Sequence, residues 1–549
     1  MFGLKGAYFY LIALQVTFIK FFKKVYFSSN RYNNSLKSKI PTQVFFNPNP
    51  FLLSIISPYK YKKNSFKIND INPNDFWSEN KKDKIIKHHS FLWLSLLDRK
   101  IDGKNIQRII YLWTLKYSNF KNKIWENSVL SSRVISWILN IDIIINNGTF
   151  DFKKKVFQNI IYQCNHLRKN IKYEKDPVKR IQVLTALILS GIVFKEYKSN
   201  FEEGIRELEK FVKHYFDSEG FPFTRNPNDL IFFTQYLLLC HENINEAQEF
   251  VPEFLSEILQ KNLLCIKFFK TPDDKLPLFN GSSENNVNHF EKYLEELKLN
   301  KKDKKNAVGG IFFAKSKNQV LYFDVGSPPE KNFSRNYQSG PLSFEYYLDG
   351  IKIISNSGFG NNISTKAELI SRLTASQSTL TINDTSITKF ERSRLINRVF
   401  GNSIKNTFKV QEHAFINNKS LIGCSVSHNG YEKNFSCTHK REIYLDHENN
   451  FLKGTDHILK KSDGIPIRYD FRFYLNPELA AVKTMSGNSA LIQISKNKSL
   501  IFTVNNEIIN IEKSIYLGGE KILDSTCITI SGNLVNKNKS FNWEIKKKI

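Results

Sequence analysis

The side chains best suited to proton transfer fall together between residues 427 and 445, in SHNGYEKNFSCTHKREIYL. His428, Tyr431, His439 and Arg441 all lie there. Imidazole is the side chain that changes charge near neutrality, and a phenol is a workable acid. Tyr431 and His439 therefore make an acid/base set, with His428 as a ligand contact. His428 and Tyr431 are three apart, so on a regular strand they face opposite sides; a turn at Asn429-Gly430 relaxes that limit. His439 and Arg441 share a face. Cross-strand packing inside a sheet is the competing reading of the group.

A second set of residues suits the recognition of anions. Arg225 and Asn226 sit in a loop framed by glycine and proline, SEGFPFTRNP (218–227). Arginine binds a carboxylate bidentately, and Asn226 shares a proton or, in the plainer reading, caps the helix that starts at Pro227. Asn280-Gly281 reads as a turn whose amide faces a ligand or simply closes the turn. Arg335 and Tyr337 follow the glycine/proline turn of VGSPPEKNFSRNY, and Arg372 lies five residues before Gln377. Trp93, Trp125 and Trp137 are candidate stacking platforms for a ligand, although helical tryptophans usually pack in a core.

The elements that must position these groups change character midway. From about Asp70 to Leu299 the apolar residues recur at helical spacing, as in NIQRIIYLWTLKY, with Ile106, Ile109, Ile110 and Trp113 on one face. KRIQVLTALILSGIVF is apolar nearly all round and predicts a buried helix. After the charged, glycine-ended run NKKDKKNAVGG the period changes to two. QVLYFDVG, LSFEYYLDGIKIISNSG, STLTIND, KREIYLDHENNFLKGTDHI, YDFRFYLNPEL and STCITISG predict antiparallel strands between turns. The expected organisation is an N-terminal basic and apolar segment (1–60), an all-α domain (61–304) and an antiparallel β-sandwich (305–549).

Composition narrows the partner. The 549 residues carry 80 Lys+Arg against 52 Asp+Glu, a formal net charge of +28, which favours an anionic partner. The basic residues are dispersed, and no zinc finger, RNP pattern or helix-turn-helix is present, so nucleic acid is not expected. The six cysteines form no C-x-x-C pair; Cys424 and Cys437 flank a hairpin at which a disulfide is the alternative to two buried thiols. The apolar run Ala7 to Ile19 has signal-peptide length but one early lysine and no A-x-A site. A signal would place the chain in the periplasm or cell envelope. A basic amphipathic helix, with weak membrane-surface contact, is the alternative and fits a cytoplasmic protein.

Several stretches, in order, resemble the heparinase II/III-like polysaccharide lyases. HHSFLWLSLLDRKI (88–101) is similar to the family's His-x-Phe-x-Trp-Leu segment, and WENSVLSSRVISWI (125–138) to its Trp and Arg-x-x-x-Trp helix. SEGFPFTRNP resembles the Gly-Gly-His-x-x-Arg-x-Pro turn, and LPLFNGSSE (276–284) a Leu-x-x-Phe-Asn-Gly loop. SFEYYLDGIKIISNSG and RLTASQSTLTINDTS resemble the entry into the sandwich, and SHNGYEKNFSCTHKREIYL the His-x-Gly-Tyr hairpin. The resemblance implies an incomplete α/α toroid followed by a large antiparallel β-sandwich. It implies β-elimination on a uronate-containing polysaccharide: a carboxylate neutralised by Asn, Gln, Arg or His, a Tyr or His base for the C5 proton, and an acid for the leaving oxygen.

Departures fall where that chemistry sits. The family's sandwich histidine is Gln377 here, and glutamine has no titration near neutrality. The turn histidine aligns with Pro222, and the inner-helix Asn-His pair falls near Arg180 and Gln182. Asn228 and Asp229 occupy the stretch where a tyrosine follows the turn, and the positions of zinc-binding histidines read as Tyr474 and Asn476. No metal and no other cofactor is expected. Tyr431, His439 and Gln377 are the expected catalytic set. Arg225, Asn226, Asn280, Arg335, Tyr337, Arg372 and His428 are the expected substrate contacts. The competing readings are a catalytically degenerate glycan-binding protein on the same fold, and a glycoside hydrolase. The latter rests on Glu219, Asp229 and Glu284, which no spacing pairs.

Overall fold

The computed structural model describes residues 4–59, 72–77, 82–97, 103–285, 287–297, 306–461, 466–535 and 538–548. The expected domain boundaries at 60/61 and 304/305 lie outside these residues.

The first half is helical, in the segments where the apolar period is 3.6. The helices of eight or more described residues are α1 (Leu4–Phe27), α2 (Lys82–His89), α3 (Lys104–Tyr117), α4 (Asn127–Leu139), α5 (Phe150–Asn170), α6 (Pro177–Val193), α7 (Lys198–Tyr215), α8 (Pro227–Glu246) and α9 (Glu253–Phe269). Helix α6 starts where Asp176 Oδ1 accepts the Val178 amide at 3.1 Å and Pro177 sets the first turn. Every residue from Ile181 to Val193 is buried, as its all-round apolarity predicts. Gly204 of α7 lets that helix approach closely, since a Cβ there would stand 2.7 Å from Ile188 of α6.

In α4 the Arg-x-x-x-Trp pattern proves structural. Arg133 is fully buried; its Nε donates to Gln163 Oε1 at 2.7 Å, its Nη1 to the His89 carbonyl at 2.9 Å, and it lies 4.4 Å over the Trp113 ring. Trp93, Trp125 and Trp137 are at most 3% exposed, so they are core residues rather than open sugar platforms.

The second half alternates at period two and forms strands β1 (Ala307–Val308), β2 (Ile311–Ser316), β3 (Gln319–Asp324), β4 (Phe344–Leu348), β5 (Ile351–Ser355), β6 (Leu380–Ile382), β7 (Val410–Asn417), β8 (Leu421–His428) and β9 (Cys437–Asp446). They continue as β10 (Phe451–Lys460), β11 (Ile467–Leu475), β12 (Ala480–Lys483), β13 (Ser489–Ser495), β14 (Lys498–Val504), β15 (Ile509–Tyr516), β16 (Leu523–Leu534) and β17 (Lys539–Lys547). One sheet runs β1-β2-β3-β4-β5-β11-β16-β15, with β6 also on β11; the other runs β12-β13-β14-β17-β10-β9-β8-β7. All pairings are antiparallel, and one apolar core that includes Phe344, Phe473, Phe502 and Trp543 fills the space between the sheets. Asp349-Gly350, both at positive φ, turns β4 into β5 within the stretch read as LSFEYYLDGIKIISNSG.

The chain divides into two compact units that do not follow the helix-to-strand change. One comprises Met1–Ala13, Phe216–Ile231 and Lys261–Ile549; the other comprises Leu14–Tyr215 and Phe232–Gln260. The loop 218–227 and the segment from Lys261 onward thus belong with the sandwich. All six cysteines are buried free thiols, so Cys424 and Cys437 form no disulfide. Desolvation raises the thiols at 164, 240, 265, 437 and 527 to about 12, leaving them protonated.

Candidate functional site

Gln377 lies at the mouth of β6, after the single 3₁₀ turn Thr374–Ser376, and is 2% exposed. Its Nε2 donates to the Ser371 carbonyl at 2.8 Å, and Gln338 Nε2 donates to the same oxygen at 2.8 Å. Gln338 in turn accepts the Gly281 amide at 2.9 Å, which draws in the Asn280-Gly281 turn. That turn needs its glycine: φ is +98° at Gly281, and a Cβ would stand 2.7 Å from Asn336 and 3.0 Å from Asn226 Nδ2. Asn226, Asn280, Tyr337, Gln338, Arg372 and Gln377 therefore meet in one buried polar network within the sandwich unit.

Among the described residues, three groups of this network have no hydrogen-bond partner. Asn280 Nδ2, the Tyr337 hydroxyl and Arg372 Nη1 are buried without a hydrogen bond. Arg372 donates from Nε to the Tyr337 carbonyl (2.9 Å) and from Nη2 to the Ser334 carbonyl (3.0 Å), and it stacks 4.1 Å over Phe390. Burial lowers its pKa to about 10, with Arg335 adding to the shift, so it stays cationic at neutrality. Burial raises Tyr337 far above the usual phenol range, so its proton stays on. Asn226 caps α8, its Oδ1 accepting the Asn228 amide at 2.9 Å, as the plainer reading has it. Arg335 is exposed, beside Gly401. The network offers neutral amides, a neutral phenol and a cation. It holds no group that titrates near neutrality.

Arg225 belongs to the same stretch but has a different duty. Its φ is +58°, and its guanidinium donates to the carbonyls of Gly309 (2.9 Å), Gly310 (3.1 Å), Gly326 (3.1 Å) and Ser327 (2.9 Å) and to Asp324 Oδ1 (2.5 Å). A Cβ at Gly326 would stand 2.4 Å from Arg225 Nη2, so the cradle is cut to fit the guanidinium. With its donors spent on the sandwich, Arg225 is a structural pin and not the expected carboxylate clamp.

The hairpin set is corrected more strongly. Strand β9 alternates as predicted, but the face shared by His439 and Arg441 is the inward one, and both residues are 0% exposed. Arg441 grips Asp456 through Nε (2.7 Å) and Nη2 (3.0 Å), His439 Nε2 meets the same carboxylate at 2.8 Å, and Trp543 Nε1 donates to it at 2.8 Å. Burial alone would raise Asp456, but Arg441 and His439 outweigh that and hold its carboxyl at about 2. Tyr431, 1% exposed, donates to the Leu380 carbonyl at 2.8 Å. His428 is 0% exposed, and its ring stands 5.3 Å from that of His439. Desolvation lowers the pKa of both imidazoles, against the opposing pull of Asp456 on His439. Tyr431, His439 and His428 thus pack between the sheets. The residue types were legible; the direction of the β9 face was not.

The helical unit contains a pair that the sequence reading missed. Gln182, at the expected inner-helix position, donates from Nε2 to the Tyr236 hydroxyl at 3.0 Å, and among the described residues its Oε1 is buried without a partner. Burial raises Tyr236 to about 12 despite its bonds to Gln182 and Ser132. Its signal in the sequence was a lone tyrosine in α8, nine residues beyond Pro227. Arg180 instead pairs with Glu207 at 2.8 Å.

Among the described residues, no group of three or more His, Cys, Asp or Glu side chains is placed to hold a metal ion. Tyr474 donates its hydroxyl to the Ala375 carbonyl. Of the three hydrolase carboxylates, Glu284 is engaged by Lys275 (3.0 Å) and by the Tyr516 hydroxyl (2.5 Å), which leaves it a structural anion.

Residues 299–544 match the family described as Heparinase II/III-like, C-terminal. No curated protein matches the sequence. Among solved structures, the chain is similar to a heparan sulfate lyase from Pedobacter heparinus (15% identity, 91% of this chain and 82% of that one, TM-score 0.62). It is similar to a heparinase III (16% identity, 89% and 80%, TM-score 0.65). It is also similar to a Streptomyces coelicolor A3 chondroitin AC lyase solved with chondroitin sulphate (6% identity, 90% and 82%, TM-score 0.50). With helices leading into antiparallel sheets, the chain has the fold of these lyases, and its residues 299–544 match the heparinase II/III-like C-terminal family.

Proposed function

We propose that the chain binds a uronate-containing, anionic polysaccharide on a lyase fold and holds it without cleaving it. One observation carries this reading: each expected acid/base group is neutralised or buried. Gln377 is an amide spent on the Ser371 carbonyl, while Tyr431 and His439 are 1% and 0% exposed inside the sandwich. Support for an anionic glycan comes from the fold and from the net charge of +28. Of the structures similar to this chain, one is described as a heparan sulfate lyase, and another was solved with chondroitin sulphate.

A second reading is carbon-oxygen lyase chemistry, favoured by the Gln182–Tyr236 pair. In it, a base removes the C5 proton of the uronate, the C5–H electron pair becomes the C4=C5 double bond, and the C4–O4 bond breaks. Tyr236, protonated at neutrality, would give its proton to O4 while Gln182 bonds the carboxylate. Incubation with heparan, chondroitin, hyaluronan and alginate oligosaccharides separates the two. Binding with no growth in unsaturated-uronate absorbance supports the first. Absorbance growth that Tyr236→Phe abolishes supports the second.

A further inference from the structure

Helix α1 turns its apolar side away from the protein. Leu11, Leu14, Phe18, Phe22 and Val25 follow spacings of three and four, which makes one continuous stripe, and Phe21 flanks it. These six side chains are 64%, 45%, 66%, 52%, 59% and 62% exposed in that order, Phe21 last. The opposite side packs: Ala13 is fully buried, and the Phe27 ring lies 5.2 Å from His166 and 5.3 Å from Phe120. An uncovered stripe of this size is a contact surface. Among the described residues, no helix is long and apolar enough to cross a membrane.

Charge identifies what covers it. The first 69 residues contain eleven Lys and Arg and no Asp or Glu. Lys20, Lys23 and Lys24 of α1 join Lys123 around a cavity of about 450 Å³. The two acids at its wall are engaged elsewhere: Glu126 pairs with Lys179 at 2.5 Å, and Glu174 accepts Asn127 Nδ2 at 2.8 Å and the Asp176 amide at 3.1 Å. Among the described residues, Lys20, Lys24 and Lys123 have no carboxylate partner. An apolar stripe on one face of α1, with unpaired ammonium groups on the opposite face, complements the surface of an anionic bilayer, with acyl chains below and phosphates at headgroup depth.

We propose that α1 is an interfacial helix that seats the chain on anionic phospholipid. The stripe enters the acyl boundary, and the lysine-lined cavity receives a headgroup phosphate. This is independent of the glycan reading, since it involves neither the Gln377 network nor the Gln182–Tyr236 pair.

The test is flotation of the full chain with vesicles of phosphatidylcholine, with and without phosphatidylserine. Binding is expected to be about tenfold or more stronger on the anionic vesicles. Phe18→Glu with Phe22→Glu, and separately Lys20→Gln with Lys24→Gln and Lys123→Gln, should each weaken it by about tenfold or more, with helical circular dichroism retained. Equal binding to both vesicle types, or variants that bind like the native chain, would overturn the proposal. So would self-association that the Phe18/Phe22 variant abolishes with no vesicle binding, which would make a second copy the occupant. Hydrogen exchange on the native chain gives a readout without variants. Amides of Leu14–Phe27 gain protection on anionic vesicles if the proposal holds, and unchanged protection contradicts it.

Discussion

Asp456 gathers the basic groups that look, in the sequence, like catalytic equipment. Its carboxylate takes Arg441, His439 and Trp543 at once, so the hairpin motif is a buried charge network. Removing the carboxylate strands the guanidinium: Asp456→Ala should cost about 3–5 kcal/mol, read as loss of the folded sandwich in urea. Tyr431→Phe removes one neutral hydrogen bond and should cost only about 0.5–1.5 kcal/mol, with glycan binding unchanged. Loss of glycan binding on that substitution would return Tyr431 to the site. The histidines also set a pH dependence. Burial, then Arg133, lowers both His89 and His166 to about 3, below the unfolded value of about 6.5. The unfolded chain therefore takes up those protons first, so stability is full above about 6.5 and declines as pH falls, by up to about 1.4 kcal/mol per pH unit per histidine. Asp456, held at about 2, adds a further loss only as pH falls below about 4. A melting midpoint that does not move between pH 7.5 and pH 5 would contradict these assignments.

At the scale of elements, periodicity carried far. The turn of Asp349-Gly350, the strand at β6 with its Asn383-Asp384 turn, and the all-buried α6 follow from local pattern. Two things were not local. The face of β9 that turns inward depends on which sheet it stacks against, and alternation alone leaves both faces open. The placement of residues 218–227 with the sandwich depends on Arg225 finding the carbonyls of Gly309, Gly310, Gly326 and Ser327, contacts about a hundred positions away in sequence. Glycines separate the two kinds of information. Gly350 has φ +81° and open space around a would-be Cβ, so Gly350→Ala should cost about 1 kcal/mol from conformation alone. Gly454 faces the Trp543 ring, with a would-be Cβ only 2.1 Å away, so Gly454→Ala should cost more, about 1–3 kcal/mol or beyond, through overpacking. Equal urea midpoints for the two variants would contradict this view of β10 and β17.

For the whole molecule, the sequence carried the fold through the order of its motifs, and the same motifs marked where the chemistry is altered. Gln377 was legible as a departure because its surroundings, TASQSTLTIND, keep the pattern. Its consequence needed the structure, which ties the amide to Ser371 and leaves Tyr337, Asn280 and Arg372 with unpaired atoms around it. A net charge of +28 adds a long-range term, so affinity for a polyanion should fall between low and physiological salt. The most direct test of the central claim is titration calorimetry of the chain with heparan, chondroitin, hyaluronan and alginate oligosaccharides, with absorbance at the unsaturated-uronate wavelength followed in the same samples. Retention without cleavage predicts saturable, salt-sensitive binding of at least one glycan and flat absorbance in the native chain. Absorbance that rises with turnover in the native chain would contradict it.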